Sequence, residues 1–295
     1  MFSNVTNVVY KINIMIRRTY LLLVLLLPFL LLTGQQTNKL VILHTNDTHS
    51  QLEPTEANAV RNPDMGGYAR RMGVINQIRQ QEKHVLLLDA GDFSQGTPYY
   101  NFFYGRVEVE GYNMMNYDVI TLGNHEFDNG MDSLAAILKL AKFPVVVSNY
   151  DASKSIISKY VKPYLVLKKG DIRIGIIGLG ISPEGLVMEA NYKGIQYLDP
   201  IETVRKYAHF LKTKKKCDVI VCVSHLGSDS TSVKMNDFIV AQQTELVDVF
   251  IGGHSHTLLE NVKTNNAKGK PVLIAQMARS GLYLGRIDLV LTEDK

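Results

Sequence analysis

Thr121-Leu122-Gly123-Asn124-His125-Glu126-Phe127-Asp128 follows the short apolar segment Asp118-Val119-Ile120 and precedes a helix-like stretch from Met131 to Ala141. A strand that stops at a glycine and delivers an amide, an imidazole and two carboxylates into a loop reads as a site carried on a rigid scaffold. The pattern recurs along the chain. Lys39 to Leu43 ends in His44-Thr45-Asn46-Asp47-Thr48-His49, and Val85 to Leu88 ends in Asp89-Ala90-Gly91-Asp92-Phe93. Val219 to Val223 ends in Ser224-His225, and Val247 to Ile251 ends in Gly252-Gly253-His254-Ser255-His256.

Between these strands the spacing changes to that of helices. Gly66 to Gln81 is amphipathic, with Met72, Ile75 and Ile78 expected inside and Arg70, Arg71 and Arg79 outside. Ile201 to Lys212 is a second helix. Tyr164 to Lys168 and Ile172 to Ile177, joined by Lys169-Gly170-Asp171, read as a hairpin. Further strands are expected at Pro144 to Val147, which ends in Ser148-Asn149, and at Val272 to Ala275 and Tyr283 to Leu291. Strands alternating with helices, plus a hairpin, predict an α/β layered fold with mixed sheets. No linker or internal repeat interrupts the pattern, so one domain is expected.

With 295 residues, 46% of them apolar, the chain has enough material for a full core. Tyr20 to Leu32 is an apolar run behind Arg17 and Arg18 and ahead of Thr33-Gly34-Gln35. This layout predicts a signal peptide over residues 1–34, the alternative being an uncleaved N-terminal anchor. Export, to a periplasm or the outside, follows as an expectation, with membrane contact only if that segment stays attached. Met15, just before the arginine pair, is a second candidate start. Loss of the segment removes Lys11, Arg17 and Arg18 and no acid, so the formal charge drops from +4 to about +1. Nucleic acid is therefore not an expected partner. Cys217 and Cys222 lie five apart in what reads as one strand, on opposite faces, and no bridge is expected.

The polar clusters carry the chemistry. Asp47 and His49, like His254 and His256, are two residues apart, which on extended backbone places both side chains on one face. Asp92 ends an apolar strand, where a carboxylate needs a partner, a metal or a role as helix N-cap. Asn124 offers a neutral oxygen, and His225 adds an imidazole. The set is rich in oxygen and nitrogen donors and free of thiolate, which suits a pair of divalent ions such as zinc, manganese or iron. Two carboxylates against two dications leave a positive excess, for which a phosphate group is the natural guest. His125 is expected to point away from Asn124 on extended backbone and to face that phosphate. Asp128 either orients His125 or caps the next helix. Asp89 and Glu126 are candidates to support the ligands, and Asn149 to line the site.

Five ordered motifs, Leu43 to His49, Gly91 to Gly96, Gly123 to Asp128, Ser224 to Gly227 and Gly253 to His256, resemble those of the calcineurin-like metallophosphoesterases, and within them the catalytic domain of secreted 5′-nucleotidases. The resemblance spans residues 38–292 and implies a four-layer α/β/β/α sandwich with two mixed sheets. It implies that Asp47, His49, Asp92 and His256 hold one metal and Asp92, Asn124, His225 and His254 the other, with His125 and Asp128 as a catalytic dyad. The implied activity is metal-dependent hydrolysis of a phosphate ester, most simply a nucleotide 5′-phosphate. Alternatives within the superfamily are a cyclic-nucleotide phosphodiesterase or a nucleotide-sugar hydrolase; outside it, a non-catalytic exported protein that binds metal or nucleotide. Longer family members carry a C-terminal nucleotide-binding domain that has no counterpart before Lys295, so the expectation is either that a separate polypeptide supplies it as a partner or that the chain accepts small or loosely held phosphate esters.

Overall fold

The computed structural model describes residues 38–291; the signal-peptide or anchor reading of residues 1–34 lies outside them. Fourteen strands form two six-stranded sheets and one small pair. They are β1 (Asn38–Thr45), β2 (Val85–Asp89), β3 (Val119–Ile120), β4 (Val145–Val146), β5 (Tyr150–Asp151), β6 (Val161–Lys162), β7 (Leu165–Lys169), β8 (Ile172–Leu179), β9 (Gln196–Tyr197), β10 (Val219–Ser224), β11 (Val249–Ile251), β12 (Leu258–Asn265), β13 (Pro271–Met277) and β14 (Gly285–Leu291). Among the described residues six helices accompany them: α1 (Tyr68–Gln81), α2 (Pro98–Phe103), α3 (Arg106–Met115), α4 (Gly130–Leu140), α5 (Pro200–Thr213) and α6 (Asp237–Gln243).

The first sheet has the order β14-β1-β2-β3-β4-β6, and the second β12-β13-β11-β10-β8-β7. Both are mixed. In the first, β14 runs antiparallel to β1 and the other neighbours are parallel. In the second, β10, β11, β13 and β8 are parallel, with β12 and the expected hairpin partner β7 antiparallel at the edges.

Alternation along the strands builds the layers. Leu40 and Ile42 point between the sheets, where they meet Ile174, Ile176, Val221 and Val223 from the second sheet. Val41 and Leu43 point the other way, into a cluster with Ile75, Tyr112 and Leu134 from α1, α3 and α4. On the far side, Ile220 and Cys222 pack with Val204, Ala208 and Leu211 of α5 and with Phe238 and Val240 of α6. The result is helix, sheet, sheet, helix, as expected. Central strands are buried on both faces, as parallel sheets covered by helices require. Each such Leu or Ile side chain contributes roughly 1.5–3 kcal/mol by leaving water.

Helix α5 starts where Asp199 accepts the Glu202 N–H and Pro200 takes the first turn. Two expectations fail. Arg71 is buried rather than exposed: its guanidinium stacks over the Tyr68 ring and bonds the Gly281 carbonyl, so an apparently polar position is an internal brace. Cys217 precedes β10 instead of lying within it, so both cysteines pack in the same outer core, free and buried.

Candidate metal centre and phosphate site

The carboxyl ends of β1, β2 and β3 meet those of β10 and β11, where ligands of open α/β sheets collect. After β1, Asn46 ties the two sheets together: its Oδ1 accepts the Met277 N–H at 2.7 Å and its Nδ2 donates to Asp47 Oδ2 at 2.7 Å. The Asp47 and His49 N–H groups donate to the carbonyls of Gly91 and Asp92, which joins this loop to the one after β2.

The loops do not have the extended backbone expected of them. Asp47, His49, Asp92, His254 and His256 all adopt left-handed conformations, with φ of 47°, 46°, 54°, 70° and 54°. Asn124 is right-handed helical and His125 begins a short 3₁₀ turn. Alternation along a strand therefore explains neither Asp-x-His, nor His-x-His, nor the divergence of Asn124 and His125. Hydrogen bonds between loops aim these side chains instead, offsetting backbone conformations that cost about 1–3 kcal/mol each.

Two groups of side chains result. Asp47, His49 and His256 offer donor atoms all within 4.8 Å of one another, as do Asp92, His225 and His254. In the first group His49 Nε2 and His256 Nε2 face each other at 3.0 Å, and Asp47 Oδ1 lies 3.3 Å from His256 Nε2. In the second, Asp92 Oδ2 lies 2.9 Å from His225 Nε2. The Asn124 carbonyl joins it, 3.0 Å from His254 Nδ1. Asp47 Oδ1 reaches within 4.0 Å of His225 Nε2, so the groups adjoin. All seven expected ligands are thus gathered at one place; Asp92 falls within the second group.

Donor chemistry fits divalent cations. His225 is fully buried and donates Nδ1–H to the Ala90 carbonyl at 2.6 Å, which leaves Nε2 as the atom facing Asp92. Burial alone would lower the His225 pKa, but the Asp92 carboxylate outweighs it and pushes the imidazole up to about 10. For Asp92, burial works upward and the surrounding imidazoles, His225 foremost, hold the carboxyl far below its usual range. A proton between such a pair occupies ground that a cation takes by displacing it. Two glycines make the approach possible: a β-carbon on Gly123 would strike Asp92 and lie 2.6 Å from His225 Nε2, and one on Gly253 would lie 2.7 Å from His225 Nδ1.

His125 sits at the rim. Its Nδ1 lies 2.7 Å from Asp128 Oδ2, and that bond, followed by opposing burial and the charge of Asp92, raises the imidazole pKa. About a third of each of these side chains is exposed. The His125 N–H donates to Asp92 Oδ1 at 2.9 Å, which ties the His125–Asp128 turn to the loop after β2. Asn129, not Asp128, occupies the N-cap position of α4, and it makes no side-chain capping bond. Asp92 does not cap a helix either; Thr97 precedes α2.

Glu126 supports the loops more extensively than its place in the motif suggests. Its buried carboxylate accepts the N–H groups of Asp92, Gly123 and Ser94 at 2.9, 2.7 and 3.1 Å. Burial, then the Asp92 charge, raises its pKa to about 7. Asp89 supports from below, accepting from Thr45, Tyr112 and the Gly91 N–H. Asn149 does not line the site: both ends of its amide bond Gly180 and staple the two sheets. Asn46, just after buried β1, and Gln276, the penultimate residue of β13, carry the same signal in the sequence as Asp92 and His225: a polar residue at the end of a buried apolar strand.

A four-layer α/β/β/α sandwich with nitrogen and oxygen donors gathered at its strand ends has the architecture of a metallophosphoesterase. The profile of the family described as "Calcineurin-like phosphoesterase" matches residues 40–258, and the chain belongs to this family, which uses divalent metals. It is 35% identical over 276 residues to a snake venom 5′-nucleotidase of Naja atra, covering 86% of this chain and 51% of that protein. Among solved structures, a 5′-nucleotidase precursor from Thermus thermophilus superposes with a TM-score of 0.79 at 34% identity, covering 86% of this chain and 52% of the other. The calcineurin-like phosphoesterase YfkN from Bacillus subtilis gives 0.70 at 27% identity, with 87% and 86% covered. The chain spans about half the length of the curated 5′-nucleotidases it matches.

Proposed function

We propose that this chain hydrolyses phosphate monoesters of nucleotides, with a dinuclear metal centre held by Asp47, His49, Asp92 and His256 on one side and Asp92, Asn124, His225 and His254 on the other. The observation that carries the reading is the adjacency of the two donor groups to each other and to the partly exposed His125–Asp128 pair, whose imidazole lies 5.4 Å from the His49 ring. Two bound divalent ions would supply charge neutralisation and an activated water.

The chain's own groups do the rest. Asp128 holds the Nδ1 proton of His125, which leaves Nε2 to face the phosphoryl group. There the imidazolium stabilises charge on a phosphoryl oxygen or hands its proton to the departing alkoxide. Glu126 holds the Asp92 loop in place throughout. The nucleotide as substrate rests on the relatives' names, and export on the apolar run behind Arg17 and Arg18 together with the venom relative.

Steady-state hydrolysis of AMP, a cyclic nucleotide, UDP-glucose and an aryl phosphate, with zinc, manganese or iron added after chelation, tests this. Metal-dependent release of phosphate from AMP, abolished by Asp92→Asn, is expected. Preference for the cyclic nucleotide or the nucleotide sugar would move the chain to another activity of the superfamily. Metal binding without turnover of any ester would make it a binding protein.

A further inference from the structure

Gln276, at the end of β13, is fully buried and uses its side-chain amide in four hydrogen bonds. Oε1 accepts the Thr257 N–H at 2.5 Å and the Ser255 hydroxyl at 3.0 Å. Nε2 donates to the Gly253 carbonyl at 2.7 Å and to Ser228 Oγ at 3.2 Å. A backbone N–H can only donate and a carbonyl can only accept, so the amide has one permitted orientation. Three of its four partners bracket His254 and His256, and the fourth lies three residues after His225.

The network continues outward with consistent donors and acceptors. Ser228 Oγ donates to buried Asp237 at 2.5 Å, and the Ser228 N–H donates to Ser255 Oγ at 2.9 Å. It therefore joins the loop after β11 to the loop after β10. Both histidines it brackets hold left-handed backbone, which a non-glycine residue keeps only when its surroundings over-determine it. The His256 side chain is about a third exposed, so packing alone does not hold it.

We propose that Gln276 is a positioning residue that presets the His254–His256 loop for cation binding, acting on both metal positions because one histidine belongs to each group. This rests on the reading of His254 and His256 as ligands. An amide with both halves engaged does what neither a carboxylate nor a thioether of the same length can: it accepts from Thr257 and donates to Gly253 at once.

The test is zinc and manganese binding to the chelated full chain, measured by calorimetry and by metal content after dialysis, for wild type, Gln276→Glu, Gln276→Met and Val272→Ala. Val272 is buried in the same strand and its truncation leaves a cavity in the outer core without touching the loop. Two equivalents are expected for wild type. Both Gln276 variants are expected to bind at least roughly tenfold more weakly, the usual scale for groups that orient ligands, with far-ultraviolet dichroism unchanged. Val272→Ala is expected to melt at a lower temperature yet bind as wild type.

Wild-type affinity in folded Gln276 variants, or equal weakening by Val272→Ala, would overturn the proposal. Failure of wild type to bind metal would instead sink the ligand assignment beneath it. Should the Gln276 variants not fold, Ser255→Ala, which deletes one partner of the amide, decides: weaker binding supports the positioning role and unchanged binding refutes it.

Discussion

His225 Nδ1 donates to the Ala90 carbonyl across the two sheets at 2.6 Å, and this one bond selects which ring nitrogen meets Asp92. Asparagine can place its amide nitrogen near that of Nδ1 while deleting Nε2. His225→Asn is therefore expected to keep the inter-sheet bond and to lose about 1 kcal/mol or less of stability in chelator. The same variant should lose one of two metal equivalents and nearly all turnover. Metal content by plasma emission and unfolding in urea check the two halves separately.

His125 stands at the rim with its ring outside both donor groups. His125→Asn should cut the turnover number by roughly a hundredfold or more, the scale of a lost general acid, with metal content unchanged. Loss of metal from the variant would make His125 a ligand. Parallel measurement of phosphate release and bound metal distinguishes the outcomes.

Removal of the Glu126 carboxylate leaves three buried N–H groups without their acceptor. At about 1–3 kcal/mol per unsatisfied donor, Glu126→Ala should lower unfolding free energy by roughly 3 kcal/mol or more. Denaturant titration in chelator reads this apart from metal linkage. Glu126→Gln, which retains one acceptor oxygen, should cost less.

Asp237 sets a pH dependence of stability. Burial raises its carboxyl from 3.8 to about 7, against the hydrogen bonds from Ser224 and Ser228. The folded protein thus keeps a proton that the unfolded chain releases across this range. Its contribution is complete below about pH 4 and is lost as pH rises to 7. Between about pH 5 and 6.5 the wild type should lose about 1.4 kcal/mol of stability per pH unit relative to Asp237→Asn. Parallel unfolding curves for the two proteins, run over that interval in chelator, give the difference slope; a slope near zero would show that Asp237 is charged in the folded state.

Strand positions were readable because buried strands such as Val85–Leu88 and Val219–Val223 are continuous apolar runs that end abruptly in polar residues. The hairpin of β7 and β8 announced itself through Lys-Gly-Asp. Helices α3 and α6 and strand β12 gave no such signal. Helix α3 buries Glu108 among its apolar positions, α6 is only seven residues long, and β12 is largely exposed. Arg71 departs from its expected exposure for a related reason: charge predicts a surface position until the Tyr68 face one turn earlier and the distant Gly281 carbonyl give the guanidinium partners inside.

The sequence by itself determined the buried strands of an α/β fold and the polar residues that close them, from Asp47 to His256, because hydrophobic runs specify buried strands and the residues that end them are chemically conspicuous; the four-layer order followed from the family resemblance. Only the tertiary structure decided how those donors face one another. Their loops adopt left-handed and 3₁₀ backbone that no local pattern encodes, held by partners 34 to 232 residues away: Glu126 for Asp92, Ala278 for Asn46, Ala90 for His225. Such conformations are unfavourable alone and become stable only when long-range hydrogen bonds surround them, so the aim of each side chain belongs to the packed molecule and not to the strand that carries it.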